Sequence, residues 1–162
     1  MRSIDHELRY DGATLEQVYE MLSTPAFRER VCDYQHVVRR TVTITPKGDG
    51  MSVRLDQFHA SDRVPPIAKK LVGSEINIVQ LEDWTDPSHA DIHVTIPGKP
   101  GQMTGTARLT ESVDGVVETV RLSVKVSIPL VGGKLEELIA GLLLKAFKAE
   151  NRVGIAWLAG ER

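Results

Sequence analysis

Apolar and polar residues alternate along residues 3–11. Ile4, His6, Leu8 and Tyr10 fall on one side, and Asp5, Glu7, Arg9 and Asp11 on the other. A period of two predicts a half-buried β-strand. Gly12 ends it and the spacing changes. Leu15, Val18, Tyr19 and Leu22 recur at intervals of three and four, which predicts a helix over 15–22. Thr14 and Gln17 have capping-box spacing, in which hydroxyl and amide each accept from an unpaired backbone N–H. Thr24 and Pro25 restart a second helix, PAFRERVCDY at 25–34, with Pro25 suited to its first position. Phe27, Val31 and Tyr34 form its expected inner side.

From residue 36 the period returns to two. Strands are predicted over 36–45, 51–59, 75–84, 89–96, 101–112 and 115–128. KGDG at 47–50, DPS at 86–88, PGKPG at 97–101 and SVDG at 112–115 separate strands with residues that tolerate tight turns. The stretch 60–74 is less regular. Pro66 opens a short helix there, with Ile67, Leu71 and Val72 on one side and Lys69 and Lys70 on another. Gly132 and Gly133 end the last strand. Lys134 to Leu158 then reads as a long helix, with Ile139, Leu142, Leu143, Ala146, Phe147, Val153 and Trp157 at helical spacing.

The order is one strand, two short helices, six strands and a long helix. With TLEQVYEMLSTPAFRERVC at 14–32 and VSIPLVGGKLEELIAGLLLKAFKAE at 126–150, it resembles the helix-grip superfamily of START, polyketide-cyclase and pollen-allergen-like proteins. Within that superfamily it looks closest to an actinobacterial-type family with no assigned function, so no catalytic motif is carried over. The resemblance implies an α+β fold spanning residues 1–162 as one domain. In it, a seven-stranded antiparallel sheet curls around the C-terminal helix and leaves a cavity between them. It also implies binding or carriage of a hydrophobic small molecule such as a lipid or polyketide. A polyketide cyclase or aromatase-like enzyme is one alternative, and a ligand-free protein-interaction module another. Function inferred from a fold is an analogy.

Strand parity assigns faces. Val38, Val42 and Ile44 share a face that also carries His36 and Arg40. Met51, Val53 and Leu55 bring Gln57 and His59 with them. On 76–84 the parity is ambiguous, with Ile76, Ile78, Gln80, Glu82 and Trp84 on one face and Val79 and Leu81 on the other. Ala90, Ile92, Val94 and Ile96 face in, as do Met103, Gly105, Ala107 and Leu109. Val116, Val120, Leu122, Val124, Val126 and Ile128 do the same, with Glu118 among them unless a bulge intervenes. The expected ligand-binding lining is Val38, Arg40, Val42, Val53, Leu55, Met103, Ala107, Leu122, Val124, Leu143, Phe147 and Glu150. Small residues at Gly105 and Ala107 would leave room. An aliphatic cavity wall and an aliphatic packed core carry the same pattern, so both stay open.

Charge on an apolar face needs a partner or water. Arg40, Glu118 and Glu150 fall on nominally inward faces. Either Arg40 meets a carboxylate or a ligand's anionic head inside, or these heads reach solvent at strand ends and helix edges. His36, His59 and Glu118 are weak candidates for an acid or base, without a visible partnered nucleophile. His89, Asp91 and His93 share an outer face at roughly 6.6 Å spacing, too far apart for local chelation by all three. No metal site or cofactor is implied.

Composition narrows the setting rather than the function. The 20 basic and 22 acidic residues give a net charge of −2, which argues against a nucleic-acid partner. The lone Cys32 forms no internal disulfide and fits a reducing cytoplasm. The longest apolar run, Leu138–Leu144, falls far short of the ~20 residues of a membrane span. A transient membrane contact through residues 64–72 is the one lipid-surface feature expected.

Overall fold

The computed structural model describes residues 1–62 and 64–162. Its elements run β1 (Arg2–Asp11), α1 (Leu15–Leu22), α2 (Pro25–Tyr34), β2 (Arg39–Lys47), β3 (Gly50–Ala60), α3 (Pro66–Val72), β4 (Glu75–Asp86), β5 (His89–Thr95), β6 (Gln102–Ser112), β7 (Gly115–Lys125) and α4 (Gly132–Leu158). The seven strands form one antiparallel sheet in the order β1-β7-β6-β5-β4-β3-β2. This is the predicted α+β helix-grip architecture. At about 1.5 Å per residue, α4 is roughly 40 Å long, enough to run along the sheet. It packs on β1 and β7 and against α1 and α2.

The capping box forms as its spacing predicts. Thr14 Oγ1 accepts from the Gln17 N–H, and Gln17 Oε1 accepts from the Thr14 N–H. Two strand ends differ from expectation. β2 starts at Arg39, because α2 is closed by the Val37 N–H bonding to the Cys32 carbonyl, with His36 in the left-handed region at φ 57°. β7 stops at Lys125, because the Val126 N–H leaves the ladder and donates to Glu136 Oε2 at 2.9 Å.

On β4, Ile76, Ile78 and Gln80 face the cavity and Glu82 and Trp84 are buried on the same parity, while Leu81 is exposed and Val79, on its face, is nonetheless buried. The registers of β7 with β1 and β6 run unbroken through Glu118, so its carboxylate is carried into the interior. Gly105 has a different reason from the one expected. A Cβ there would lie 1.8 Å from the Arg121 carbonyl oxygen, so glycine permits backbone approach on the sheet rather than making room for a ligand.

Two apolar clusters hold helix and sheet together. The larger includes Leu8, Val18, Leu22, Phe27, Trp84, Val120 and Trp157. In it Tyr19 meets Trp84 and Phe27 meets Trp157 edge-on, with centroids 5.9 and 5.6 Å apart. The smaller gathers Ala68, Val126 and Leu135, with Val64, Leu71, Ile128 and Leu138 against them. Through it α3 is tied to the first turns of α4. Among the described residues, no helix is long and apolar enough to cross a membrane.

Candidate functional site

Sheet and α4 enclose a cavity of about 660 Å³, lined from both clusters. Its volume lies within the roughly 300–1,000 Å³ typical of small-molecule sites. One wall is a single face of α4: Leu135, Leu138, Ile139, Leu142, Leu143, Ala146, Phe147 and Glu150. These recur at three and four, so a regular helix presents them together. The opposite wall comes from Leu55 on β3, Ile76 and Ile78 on β4, and Met103 on β6. Ala68, Leu71 and Val72 of α3 cover the end near Leu135. Glu150 lies about fifteen residues further along α4, roughly 22 Å away at 1.5 Å per residue.

That far end is charged. Arg28 of α2 and Glu150 line it, with Gln80 beside them. The Arg28 guanidinium is buried and pairs bidentately with buried Glu82, at 2.8 and 2.9 Å. Its Nε donates to the Leu22 carbonyl at 2.8 Å. Glu82 also accepts from Gln80 Nε2 at 2.7 Å and Trp84 Nε1 at 2.9 Å. Burial pushes the Glu82 carboxyl up, but Arg28 and these donors outweigh it and hold it below its ordinary value. Glu82 is therefore ionised.

Two further carboxyls face the same guanidinium without bonding to it. Burial raises Glu118 well above the usual carboxylate range. Glu150 and Glu82 add to the rise, and Arg28 opposes it. Burial also lifts Glu150 to about 7, with Arg28 lowering it and Glu82 raising it. Glu118 is thus biased toward its protonated form, and Glu150 titrates near neutrality. Glu118 Oε1 is buried and has no hydrogen-bond partner, and the buried Tyr10 hydroxyl lies beside the Asn151 side chain.

Other polar groups on the lining are quieter. His59 Nε2 lies 3.1 Å from Gln57 Oε1, and burial lowers its pKa. His36 reaches the cavity through its left-handed turn. Burial raises the Cys32 thiol to about 11, so it is not a nucleophile at neutral pH. No group of His, Cys, Asp or Glu among the described residues is arranged to hold a metal ion.

Of the twelve residues expected to line the site, Leu55, Met103, Leu143, Phe147 and Glu150 do so. Val53, Ala107, Leu122 and Val124 are buried in close-packed core instead, and Val42 packs at its margin. Val38 is 49% exposed, in the link before β2. Arg40 is also placed differently from expectation. β2 is an edge strand whose face looks onto α2, not α4, so Arg40 pairs with Asp33 at 2.9 Å and Glu29 at 3.1 Å, outside the cavity. Tyr34, expected inward, is 48% exposed.

Arg28 was not singled out from the sequence. Its signal was indirect: Glu82 and Glu118 on apolar faces call for a buried cation, and Arg28 sits next to Phe27 and one turn before Cys32. In residues 64–72, Ala68 is buried, while Ile67, Lys69 and Lys70 stay exposed. A second, open depression of about 600 Å³ on the outer face of the sheet is lined by Leu81, Asp83, Asp91 and His93.

Residues 5–158 match a family described as a protein of unknown function, DUF2505. An uncharacterized protein of Mycobacterium tuberculosis strain H37Rv is 24% identical over 168 residues, covering 97% of each chain. Among solved structures, the di-domain ARO/CYC StfQ from the steffimycin biosynthetic pathway superposes with a TM-score of 0.66 at 14% identity. That match covers 97% of this chain and 50% of StfQ. Truncated norcoclaurine synthase from Thalictrum flavum gives 0.60 at 18% identity, covering 94% and 92%. At these identities the structural likenesses establish the fold.

Proposed function

This chain belongs to the DUF2505 family of proteins of unknown function, and we propose that it binds and carries a hydrophobic small molecule between sheet and C-terminal helix. The observation that carries this reading is the cavity of about 660 Å³ with a continuous aliphatic wall along α4. A fully packed core would leave no such space, which counts against a ligand-free interaction module. Burial of the ligand's apolar surface supplies affinity at roughly 25 cal/mol per Å² before the cost of immobilising it. The charged end fixes orientation. Exposed Ile67, Lys69 and Lys70 on the outside of α3 support transient membrane contact during loading.

Glu150 favours a second reading, that of a cyclase-like enzyme. A carboxyl on the cavity wall, titrating near neutrality, is suited to general acid–base work.

Native mass spectrometry of freshly purified protein, with solvent extraction of what is bound, tests the binding reading. The expected result is a reproducible small-molecule adduct. A clean apo mass, together with no thermal shift across a lipid and polyketide panel, would overturn it. A bound molecule returned chemically altered after incubation favours catalysis over carriage.

A further inference from the structure

The charged end of the cavity is out of balance. Four ionisable groups meet there from four elements: Arg28 on α2, Glu82 on β4, Glu118 on β7 and Glu150 on α4. Tyr10 on β1 faces the same cluster, where burial and the nearby Glu118 and Glu150 carboxyls raise its hydroxyl's pKa. One guanidinium therefore stands against three carboxyls, and its bidentate pairing is used up by Glu82. No second buried cation is present among the described residues. Burial biases Glu118 toward its protonated form, whereas Glu150 lines the open space. Of the cluster's members only Arg28 and Glu150 reach the cavity, and among the described residues Glu150 makes no hydrogen bond or ion pair there, while Glu118 Oε1 is buried behind the lining without a hydrogen-bond partner. A carboxyl that lines an apolar cavity without a partner is suited to a ligand that supplies one.

Resting on the cavity reading above, we propose that the ligand is an apolar molecule carrying a basic amine, whose ammonium group sits against Glu150 at the Arg28 end. An ammonium supplies the positive charge the cluster lacks and donates hydrogen bonds to a carboxylate without needing an acceptor in return. A carboxylic acid would add a fourth carboxyl to the same site. An alcohol would fill the apolar wall but leave the charge unmet.

Three probes of equal chain length separate these cases: decylamine, decanol and decanoic acid, titrated calorimetrically into the intact protein. The expected order is amine, then alcohol, then acid, with the amine tighter than the alcohol by about tenfold or more, since a charged hydrogen bond replaces a neutral one. Glu150 must be ionised to pair, so amine affinity rises by roughly tenfold from pH 6 to pH 8 while decanol affinity does not. Glu150→Gln removes both the preference for amine over alcohol and the rise with pH. Equal affinity for amine and alcohol, or a preference that survives Glu150→Gln, overturns the amine assignment and leaves the cavity reading standing. Binding of none of the three overturns both. If Glu150→Gln does not fold, the pH profile of the native protein decides alone, and a flat profile for the amine is the contrary result.

Discussion

Three glutamates around Arg28 share one residue type and are pushed in different directions. Glu82 has four hydrogen-bond donors and is held below its ordinary pKa, Glu118 has none and is raised by burial, and Glu150 borders open space and titrates near 7. The difference has a direction in stability. A carboxyl raised in the folded state stabilises most below its unfolded pKa, and this contribution is lost as pH rises toward the folded value. Glu150 therefore weakens the fold progressively between about 4.5 and about 7. Glu118 acts in the same direction. The half-buried His59, whose pKa burial lowers, acts in the opposite one. Comparison with Glu150→Gln cancels that opposing contribution. Chemical denaturation at pH 5 and pH 8 should show the variant gaining on the native protein by on the order of 2–3 kcal/mol at the higher pH. Parallel pH dependences would contradict the assigned state of Glu150. At this scale Glu118 and Glu150 were legible, because each interrupts an apolar period. Arg28 was not, because the buried stripe of α2 is only Phe27, Arg28, Val31 and Cys32, too short a repeat for one charged member to stand out as an intruder.

Helix α4 shows how far an element can be read from its pattern. Its apolar period fixed its extent to within two residues and its inward face, because a helix of this length repeats its signal many times. Its glycines are not explained by period. Gly141 has no neighbour within 4 Å of an added Cβ, so Gly141→Ala should stabilise by about 1 kcal/mol through helix propensity alone. At Gly154 a Cβ would lie 2.7 Å from the Tyr10 ring, which is fully buried and has no room to yield. Gly154→Ala should destabilise by about 1–3 kcal/mol, the usual cost of overpacking, against the same propensity gain. Thermal or denaturant unfolding of the two variants checks the pair; equal signs would mean that α4 does not press on β1 as described. Short-range chemistry was equally readable at the Thr14–Gln17 capping box. The ends of β2 and β7 were not, since one is set by the left-handed turn at His36 that closes α2 and the other by the Glu136 carboxylate of the next element.

Over the whole molecule, the order of elements was enough to indicate the grip of sheet around helix. Whether the grip is filled was not readable, for a physical reason: Val53, Leu122 and Val124 sit in close-packed core and Leu55, Met103 and Leu143 on the cavity wall, yet all are inward aliphatics on the same parity. What separates them is whether open space lies in front of the side chain, which the hydrophobic period does not encode. Methyl NMR with bound decanol tests that separation most directly. Intermolecular contacts are expected to the methyl groups of Leu55, Met103 and Leu143 and to the Phe147 ring, with none to Val53, Leu122 or Val124. Contacts confined to the outer face around Leu81, or no contacts at all, would contradict a ligand cavity between sheet and helix.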